Sequence, residues 1–362
     1  MLSRFLRLLW PLVLIAGALG VLALAIYLFG QRHNPGEALK TLYGGAFGSA
    51  NALTSTAARA AILIFYALGI VLSFRAGIFN IGAEGQSRTG AIAATALTVT
   101  SIGPRLAALG FLAIPIILVC GAMTGALWSL LAGLLRRWRG VPEVISTLML
   151  NFIALSLALF LLAKVCDPSG NIMPGPLQEA KATYQQSDTI PVPLQLQTWG
   201  ATQFHSGILL VLPALLLAHV YLFRTPGGMA LRAVGLNPVA ARACGIRVAA
   251  VELRAFAIAG ALAGLGGAMG VLVRNRLDKA PYPAADYGFM AIAVALVADL
   301  KPLLVLPAAI LFAGLEVGCA GMERNAGISK EVVYVIEGLI ILAVLLRHIG
   351  GWRTAAGRDA GD

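Results

Sequence analysis

Apolar stretches long enough to cross a lipid bilayer recur along this chain, and they constrain its fold more than any other feature. A transmembrane helix needs about 20 mainly apolar residues. Hydrophobic residues make up 59% of the 362-residue chain and charged residues only 12%, whereas soluble domains carry about 25% charged residues. The sequence therefore predicts an all-α, polytopic membrane protein with about 8–10 transmembrane helices. We place ten spans near residues 10–29, 57–74, 88–103, 106–134, 143–163, 207–223, 253–273, 286–299, 302–320 and 333–348.

Some of these spans are predicted to be irregular. Segments 88–103 and 286–299 are shorter than a full crossing, and broken helices are tolerated at membrane depth only where protein or water shields the backbone. Pro115 falls inside segment 106–134 and is expected to kink that helix. We therefore expect discontinuous segments within a single transmembrane domain that extends over residues 1–362.

The distribution of basic residues predicts the orientation of the chain in the membrane. Lys and Arg are in excess on the side that holds the N-terminus, and cytoplasmic segments carry such an excess. Both termini are therefore expected in the cytoplasm, with residues 164–206 as an external loop and residues 224–254 as a cytoplasmic loop. The net charge of +11 is spread in small groups between apolar runs, which favours membrane anchoring over nucleic-acid binding.

Several common kinds of catalytic and metal site have no counterpart in the sequence. The G-x-x-x-x-G-K-[ST] phosphate-binding motif is missing, and so are H-E-x-x-H and G-x-S-x-G. The four cysteines show no C-x-x-C and no metal-ligand spacing; they are Cys120, Cys166, Cys244 and Cys319. The chain is therefore predicted not to be an enzyme and to bind no metal or cofactor.

A glycine-rich polar segment, residues 75–86 (RAGIFNIGAEGQ), is the first candidate for function. Its glycines permit tight turns, and the side chains of Asn80, Glu84 and Gln86 add two amides and a carboxylate. One interpretation is a discontinuous segment that lines or gates a translocation pathway. The other is an ordinary interfacial turn that these polar residues cap.

A second polar group, Ser146, Thr147 and Asn151, lies inside an apolar helix. Thr147 and Asn151 share one helix face because they are four residues apart. An amide within a span either faces a polar cavity or hydrogen-bonds to a neighbouring helix. Both interpretations stay open. Three G-x-x-x-G pairs predict close helix packing: Gly121/Gly125, Gly260/Gly264 and Gly266/Gly270.

The third candidate is a short helix in the cytoplasmic loop. Asn237 followed by Pro238 is a typical helix start, and Gly245 is a typical stop. A two-turn helix of this kind suits docking into a groove on a partner. The alternative is a surface helix that merely connects two spans.

Four motifs, in order along the chain, resemble the permeases of ABC importers in the nucleoside and simple-sugar group, within the wider branched-chain amino acid and ribose permease family. They are FRAGIFNIGAEGQ (74–86), VPEVISTLMLNF (141–152), GLNPVAAR (235–242) and GFMAIAVAL (288–296). The chain departs from the family pattern at residues 297–302, which lack the usual glycine, and at Glu337, where an amide is common.

The resemblance implies a permease subunit of the inner membrane with several partners. It pairs with a second permease, here expected to be a different chain, and two ATPase domains, expected in one tandem chain, bind ATP and Mg on its cytoplasmic side. A binding lipoprotein or periplasmic binding protein delivers substrate. The family's coupling helix would fall on Gly235–Gly245, with Gly235, Leu236, Asn237, Pro238, Ala240, Arg242 and Gly245 as ATPase-contacting residues.

The resemblance also implies nucleosides as substrate, with ribose-type sugars or riboflavin-like ring compounds as alternatives. Substrate would move inward by alternating access, past a pathway lined by Asn80, Glu84, Gln86, Ser146, Thr147 and Asn151. A competing interpretation is an ion-coupled secondary transporter in which Glu84, Glu316 or Glu337 binds a proton.

Overall fold

The computed structural model describes residues 35–163, 165–166, 172–173, 176–177, 186–199, 204–278, 287–326 and 338. These residues are mainly helical, which confirms the all-α prediction. The helices are α1 (Pro35–Phe47), α2 (Ala50–Arg75), α3 (Ala83–Val99), α4 (Gly103–Ala107), α5 (Ala113–Arg139), α6 (Glu143–Leu162), α7 (Val211–Arg224), α8 (Pro226–Leu236), α9 (Pro238–Ala243), α10 (Val248–Arg274), α11 (Tyr287–Val297) and α12 (Val305–Ala326). Two antiparallel strands of two residues each, β1 (Val165–Cys166) and β2 (Ile172–Met173), lie between α6 and α7.

Within the described part of the chain, six helices are long and apolar enough to cross a membrane. They are Ala50–Arg75, Gly110–Arg139, Glu143–Leu162, Ser206–Arg224, Val248–Arg274 and Pro302–Arg324. The polytopic membrane fold is thereby confirmed. The predicted span 10–29 lies outside the described residues, and so does span 333–348 apart from residue 338, so the total of ten spans stays a prediction.

The two short spans are indeed short helices, and one has a different start. Helix α3 begins at Ala83 rather than at residue 88 and is 17 residues long, so it includes polar residues that a hydropathy reading leaves out. Helix α11 has 11 residues. At 1.5 Å per residue, both are shorter than the hydrocarbon core is thick.

The expected kink at Pro115 is wrong. The structure breaks the predicted segment 106–134 before this proline, between α4 and α5, where a short 3-10 turn covers Gly110–Leu112. Pro115 is the third residue of α5. It is tolerated there because the first turn of a helix has no intrahelical acceptor for its N–H groups.

The chain divides into two compact units, Ala58–Ala309 and Met1–Ala57 with Ile310–Asp362. Within the second of these, α1 packs closely on α12, since a Cβ atom at Gly45 would lie 3.2 Å from the Cα of Gly318. Nothing in this division tests the predicted single transmembrane domain over residues 1–362, which stays a prediction.

The larger unit is built around glycine contacts between α3, α5 and α10. A Cβ atom on Gly125 would lie 2.7 Å from the Cα of Gly264, and one on Gly90 would lie 2.6 Å from the same atom. Real Cβ atoms do not come so close to a backbone, so only glycine allows these helices to meet. The close packing predicted for Gly121/Gly125 and Gly260/Gly264 is confirmed.

Part of the predicted external loop packs on the end of α10. The backbone N–H groups of Ser187 and Ile190 donate to the carbonyl oxygens of Leu277 and Asn275, each at 2.8 Å. Asn275 ends α10 in a left-handed conformation, with φ of 66°. Residues 186–199 therefore form an ordered cover over this end of the helix.

Candidate functional site

The two polar segments that the sequence singled out meet in the structure. The side-chain amide of Asn151 on α6 accepts a hydrogen bond from the Gly85 N–H at 2.8 Å and donates one to the Ile81 carbonyl at 3.0 Å. The Ile81 N–H donates to the Thr147 hydroxyl at 3.3 Å. Helix α6 thus holds the turn that leads into α3, and Asn151 uses its amide as an interhelical bridge.

A second small network fixes the inside of the same turn. The Asn80 side-chain oxygen accepts from the Gly82 N–H at 2.9 Å and from the Gln86 amide at 3.0 Å. The Gln86 amide also donates to the Ser129 hydroxyl on α5 at 3.1 Å. Asn80 and Gln86 are buried, so their polar groups serve to connect α3 to α5 and to the preceding turn.

The two hydroxyl groups on α6 bond to their own helix. The Thr147 hydroxyl donates to the carbonyl oxygen of Glu143 at 2.7 Å, and the Ser146 hydroxyl lies 3.2 Å from the same oxygen. Such back-bonding satisfies a buried hydroxyl without a partner on another helix. Thr147 reaches the turn as well, whereas Ser146 bonds within α6.

Glu84 lies on α3 and forms a buried ion pair. Its Oε1 atom is 3.0 Å from Nη2 of Arg88, and each side chain is 10% exposed. Its Oε2 atom accepts the Gly288 N–H at 3.0 Å. A Cβ atom on Gly288 would lie 2.7 Å from the Glu84 backbone nitrogen, so glycine lets the start of α11 approach the carboxylate.

The ion pair lies at one end of a narrow cleft between α2, α3, α6, α10 and α11. The cleft leaves about 30 Å³ for the centres of water molecules, which is room for about two. Of the six residues predicted to line the pathway, Glu84 is the one that lines this cleft. Other lining residues are Tyr66, Ser87, Arg88, Ala158, Gly270 and Tyr287.

The other end of the cleft is polar and reaches the loop that covers α10. Arg274 and Asp278 line it and form an ion pair at 3.2 Å. Arg276 also lines it and donates to the Thr189 hydroxyl at 3.1 Å. The cleft therefore extends from the buried pair on α3 to the side of the protein that the basic residues predict to be external.

The depth of the buried pair follows from its neighbours. Gly85 bonds to Asn151, which lies eight residues after the start of the 20-residue helix α6. At 1.5 Å per residue, this is about 12 Å along a helix of about 30 Å. Glu84 therefore lies beside the middle part of the apolar helix α6, which predicts a position within the hydrocarbon layer, where an unpaired charge would be expensive.

The short helix in the predicted cytoplasmic loop forms as expected. Helix α9 covers Pro238–Ala243, and the Asn237 side chain accepts from the N–H groups of Val239 and Ala240, both at 3.0 Å. Gly245 ends it with φ of 81°. The predicted start and stop are confirmed, while a role of the segment in coupling stays a prediction.

Helix α9 and the last residue of α8, Leu236, present apolar and basic side chains to the surroundings. Leu236 is 88% exposed and Val239 is 74% exposed, and Ala240 and Arg242 are exposed as well. Exposed large apolar side chains in a cluster are typical of an interaction surface. Ala241 is buried and fastens the helix to the rest of the protein.

The segment before α9 contacts the turn that precedes α3. A Cβ atom on Gly235 would lie 2.9 Å from the carbonyl carbon of Arg75, so two backbones touch there. The Arg75 guanidinium donates to the carbonyl oxygens of Leu300 and Asp299 at 3.0 and 3.2 Å. Both of these residues have positive φ, 51° and 53°, so Arg75 stabilises the turn that lacks the usual glycine.

Three residues of the site, Arg88, Ser129 and Gly288, are not among those that the sequence motifs single out for function. The spacing of Glu84 and Arg88, four residues apart, is a recognised signal for an ion pair on a helix, and it could have identified Arg88. Ser129 and Gly288 contact the site from 43 and 204 residues away along the chain. Their spacing in the sequence carries no signal for these contacts.

The sequence of the chain matches a known protein family. Residues 52–345 match the sequence model of the family described as "Branched-chain amino acid transport system / permease component". No solved structure matches the chain.

Three curated relatives are similar over most of their length. The nucleoside ABC transporter permease protein NupB of Lactococcus lactis is 32% identical over 93% of this chain and 90% of its own. The guanosine ABC transporter permease protein NupP of Bacillus subtilis is 30% identical over 95% and 94%. The glucose ABC transporter permease protein TsgB13 of Haloferax volcanii is 30% identical over 92% and 86%.

Proposed function

The chain belongs to the family of branched-chain amino acid transport system permease components, and from this premise we propose that it imports nucleosides as one permease subunit of an ATP-driven importer. The proposal of nucleosides as the substrate rests on the similarity to the nucleoside permease NupB over 93% of the chain. The glucose permease TsgB13, at 30% identity, keeps ribose-type sugars as the second candidate.

The proposed pathway runs through the cleft beside Glu84. In the conformation described, the cleft is much smaller than the roughly 300–1,000 Å³ of typical ligand pockets. It therefore has to widen for a nucleoside to pass, which is what alternating access provides. Asn80, Gln86, Thr147 and Asn151 hold the turn before α3, so a movement of that turn would change the width of the cleft; Ser146 is the remaining member of the proposed pathway set.

The proposed coupling helix is α9. The exposed side chains of Val239 on α9 and of Leu236 at the end of α8 suit a groove on a cytoplasmic ATPase. Gly235 contacts the turn at Arg75, which leads to α3 and to the cleft. A shift of α9 driven by the ATPase would thereby reach the pathway through a backbone contact.

The remaining partners follow from the family and from the sequence. The chain carries no phosphate-binding motif, so ATP and Mg would bind to the partner ATPase, which we propose to be a tandem chain. The family resemblance supports a second, different permease chain, and a binding lipoprotein or periplasmic protein on the external side. Both termini are proposed to be cytoplasmic, because Lys and Arg are in excess on that side.

An ion-coupled secondary transporter is a weaker candidate. Glu84 is already paired with Arg88, so its charge is compensated without a proton. Glu337 lies outside the described residues. Uptake that an uncoupler abolishes and that does not depend on the ATPase would favour this alternative over the proposed one.

Uptake of labelled guanosine tests the substrate. Cells with and without the chain are compared, with unlabelled nucleosides, free bases, ribose and amino acids as competitors. Uptake that requires the chain and is reduced only by nucleosides is the expected result. Chain-dependent uptake that ribose reduces and nucleosides do not would replace the nucleoside proposal by the sugar candidate.

The substitution Ala240→Asp tests the coupling helix. A new carboxylate on the exposed face of α9 should prevent ATPase binding, while the permease still inserts into the membrane. Ala108→Asp places the same change at an exposed position on the opposite predicted side and serves as the control. Co-purification of the ATPase is the measurement, and an Ala240→Asp complex that assembles and transports normally would contradict the assignment.

A further inference from the structure

The Glu84–Arg88 pair is costly for a membrane protein. Both side chains are 10% exposed at a depth where charged groups are rare and mark functional sites. A buried ion pair is weak evidence for stability, since well-packed apolar residues of similar volume are often as stable. The hydrogen bonds of Asn151 and Gln86 already connect α3 to α6 and α5, so the position of α3 has other supports.

The chemistry of the cleft around this pair suits a particular kind of molecule. A guanidinium carries five N–H donors in a planar fork, and a carboxylate is a strong acceptor. Together they match a pair of neighbouring hydroxyl groups, which both donate and accept. The rings of Tyr66 and Tyr287 line the same cleft, and aromatic rings are the surfaces on which nucleobases stack.

We propose that Glu84 and Arg88 are the substrate-contacting residues that recognise the 2′- and 3′-hydroxyl groups of a neutral nucleoside, with Tyr66 and Tyr287 beside its base. This inference rests on the proposed function and names the substrate class of that site. Arg88 is thereby assigned as a specificity-determining residue.

The pair also suits an uncharged substrate. Glu84 and Arg88 together carry no net charge, so a neutral nucleoside enters without an uncompensated charge.

The same pair also closes the cleft in the conformation described. Oε2 of Glu84 bonds to Gly288 at the start of α11, and the space left beside it is about 30 Å³. Substrate can reach the pair only when α11 and α10 move away from α3. Substrate recognition and opening are therefore linked at one residue.

Uptake of labelled guanosine and of labelled 2′,3′-dideoxyguanosine tests the proposal in cells that express the complete importer. The binding protein is the same in every strain, so a change in the ratio of the two uptake rates between the unmodified chain and a variant reports the permease. For the unmodified chain we expect guanosine uptake to be about tenfold or more faster than dideoxyguanosine uptake. Arg88→Lys and Glu84→Gln should lower guanosine uptake about tenfold and move the ratio of the two rates towards one.

The ratio of the two uptake rates separates recognition from folding. Loss of folded protein lowers total uptake but leaves the ratio unchanged. Arg88→Lys keeps the positive charge but loses the planar fork of N–H donors, whereas Glu84→Gln removes the negative charge. Residual uptake by either variant is enough to measure the ratio. Arg105→Gln, at an exposed position outside the cleft, is the control and should retain the original ratio.

Failure of this inference and failure of the proposed function give different results. If the unmodified chain supports no guanosine uptake, the proposed function is wrong and the inference falls with it. If guanosine uptake is present but both variants keep the original ratio, only the assignment of Glu84 and Arg88 is overturned. Equal uptake rates of guanosine and dideoxyguanosine with the unmodified chain also overturn it.

Discussion

Replacement of Gly264 by alanine tests the glycine contact between α10 and α5. A Cβ atom at this position would lie 2.9 Å from the Cα and 3.1 Å from the nitrogen of Gly125 on α5. On the other side, Gly90 of α3 faces the backbone of Gly264 at a similar distance. The methyl group has no flexible neighbour that could yield, because both contacts are with backbone atoms.

The size of the effect follows from these distances. Carbon atoms in contact normally lie about 3.5–4.0 Å apart, so α5 and α10 would have to separate by about 0.6–1 Å. Overpacking of this kind typically costs about 1–3 kcal/mol, which is a substantial fraction of the roughly 5–15 kcal/mol that stabilises a native protein. We therefore expect Gly264→Ala to lower the unfolding midpoint by several degrees.

Thermal unfolding of the purified protein in detergent measures this effect. Gly44→Ala is the matched control, because Gly44 lies inside helix α1 with no atom within 4 Å of the added Cβ. There alanine should be neutral or stabilise by about 0.5–1 kcal/mol. If Gly264→Ala melts at or above the temperature of the unmodified protein, the helices are not in backbone contact and the packing account is refuted.

Three further changes test other parts of the structure. Asn151→Ala should reduce the free energy of unfolding by about 1–2 kcal/mol, because the Gly85 N–H and the part-buried Ile81 carbonyl lose their partner and hydrogen bonds between membrane helices are worth about this much; thermal unfolding measures it. Gly235→Ala should lower ATP-driven uptake while the complex still assembles, because the added methyl group pushes α8 away from Arg75. Burial lowers the pKa of His205 to about 4, below its usual 6.5. The unfolded state therefore binds the proton first, and the free energy of unfolding should fall by about 3 kcal/mol between pH 7 and pH 4.

Each of these expectations has a control and a contrary result. Asn51→Ala removes an exposed amide and should leave the melting temperature unchanged; an equal effect of both substitutions would contradict the bridging role of Asn151. Normal uptake by Gly235→Ala would show that the contact between Gly235 and Arg75 does not transmit a movement of α9 to the pathway. His205→Leu should have a smaller loss of stability on acidification than the unmodified protein, and parallel pH profiles would contradict the burial argument.

Local signals were sufficient for α9. Asn237, Pro238 and Gly245 specify a start and a stop through their own backbone preferences, and the structure has both. Helix packing through G-x-x-x-G pairs was predictable for the same reason, since small residues at that spacing leave a groove on one helix face.

The site itself was only partly predictable. The two polar segments were each identified, but their contact joins residues 66–70 positions apart, and no local preference encodes it. The ion pair was missed because hydropathy placed the start of α3 at residue 88. The charged residues Glu84 and Arg88 lower the local hydropathy, although in the protein they are buried and paired.

Reconstitution of the complete importer in lipid vesicles tests the central claim most directly. The measurement is accumulation of labelled guanosine in the compartment that holds the ATPase, with the binding protein on the other side, and with ATP or a non-hydrolysable analogue. The account predicts uphill accumulation that requires ATP hydrolysis, the permease and the binding protein, and that Ala240→Asp abolishes. Accumulation that continues without ATP and collapses with the ion gradient would contradict it.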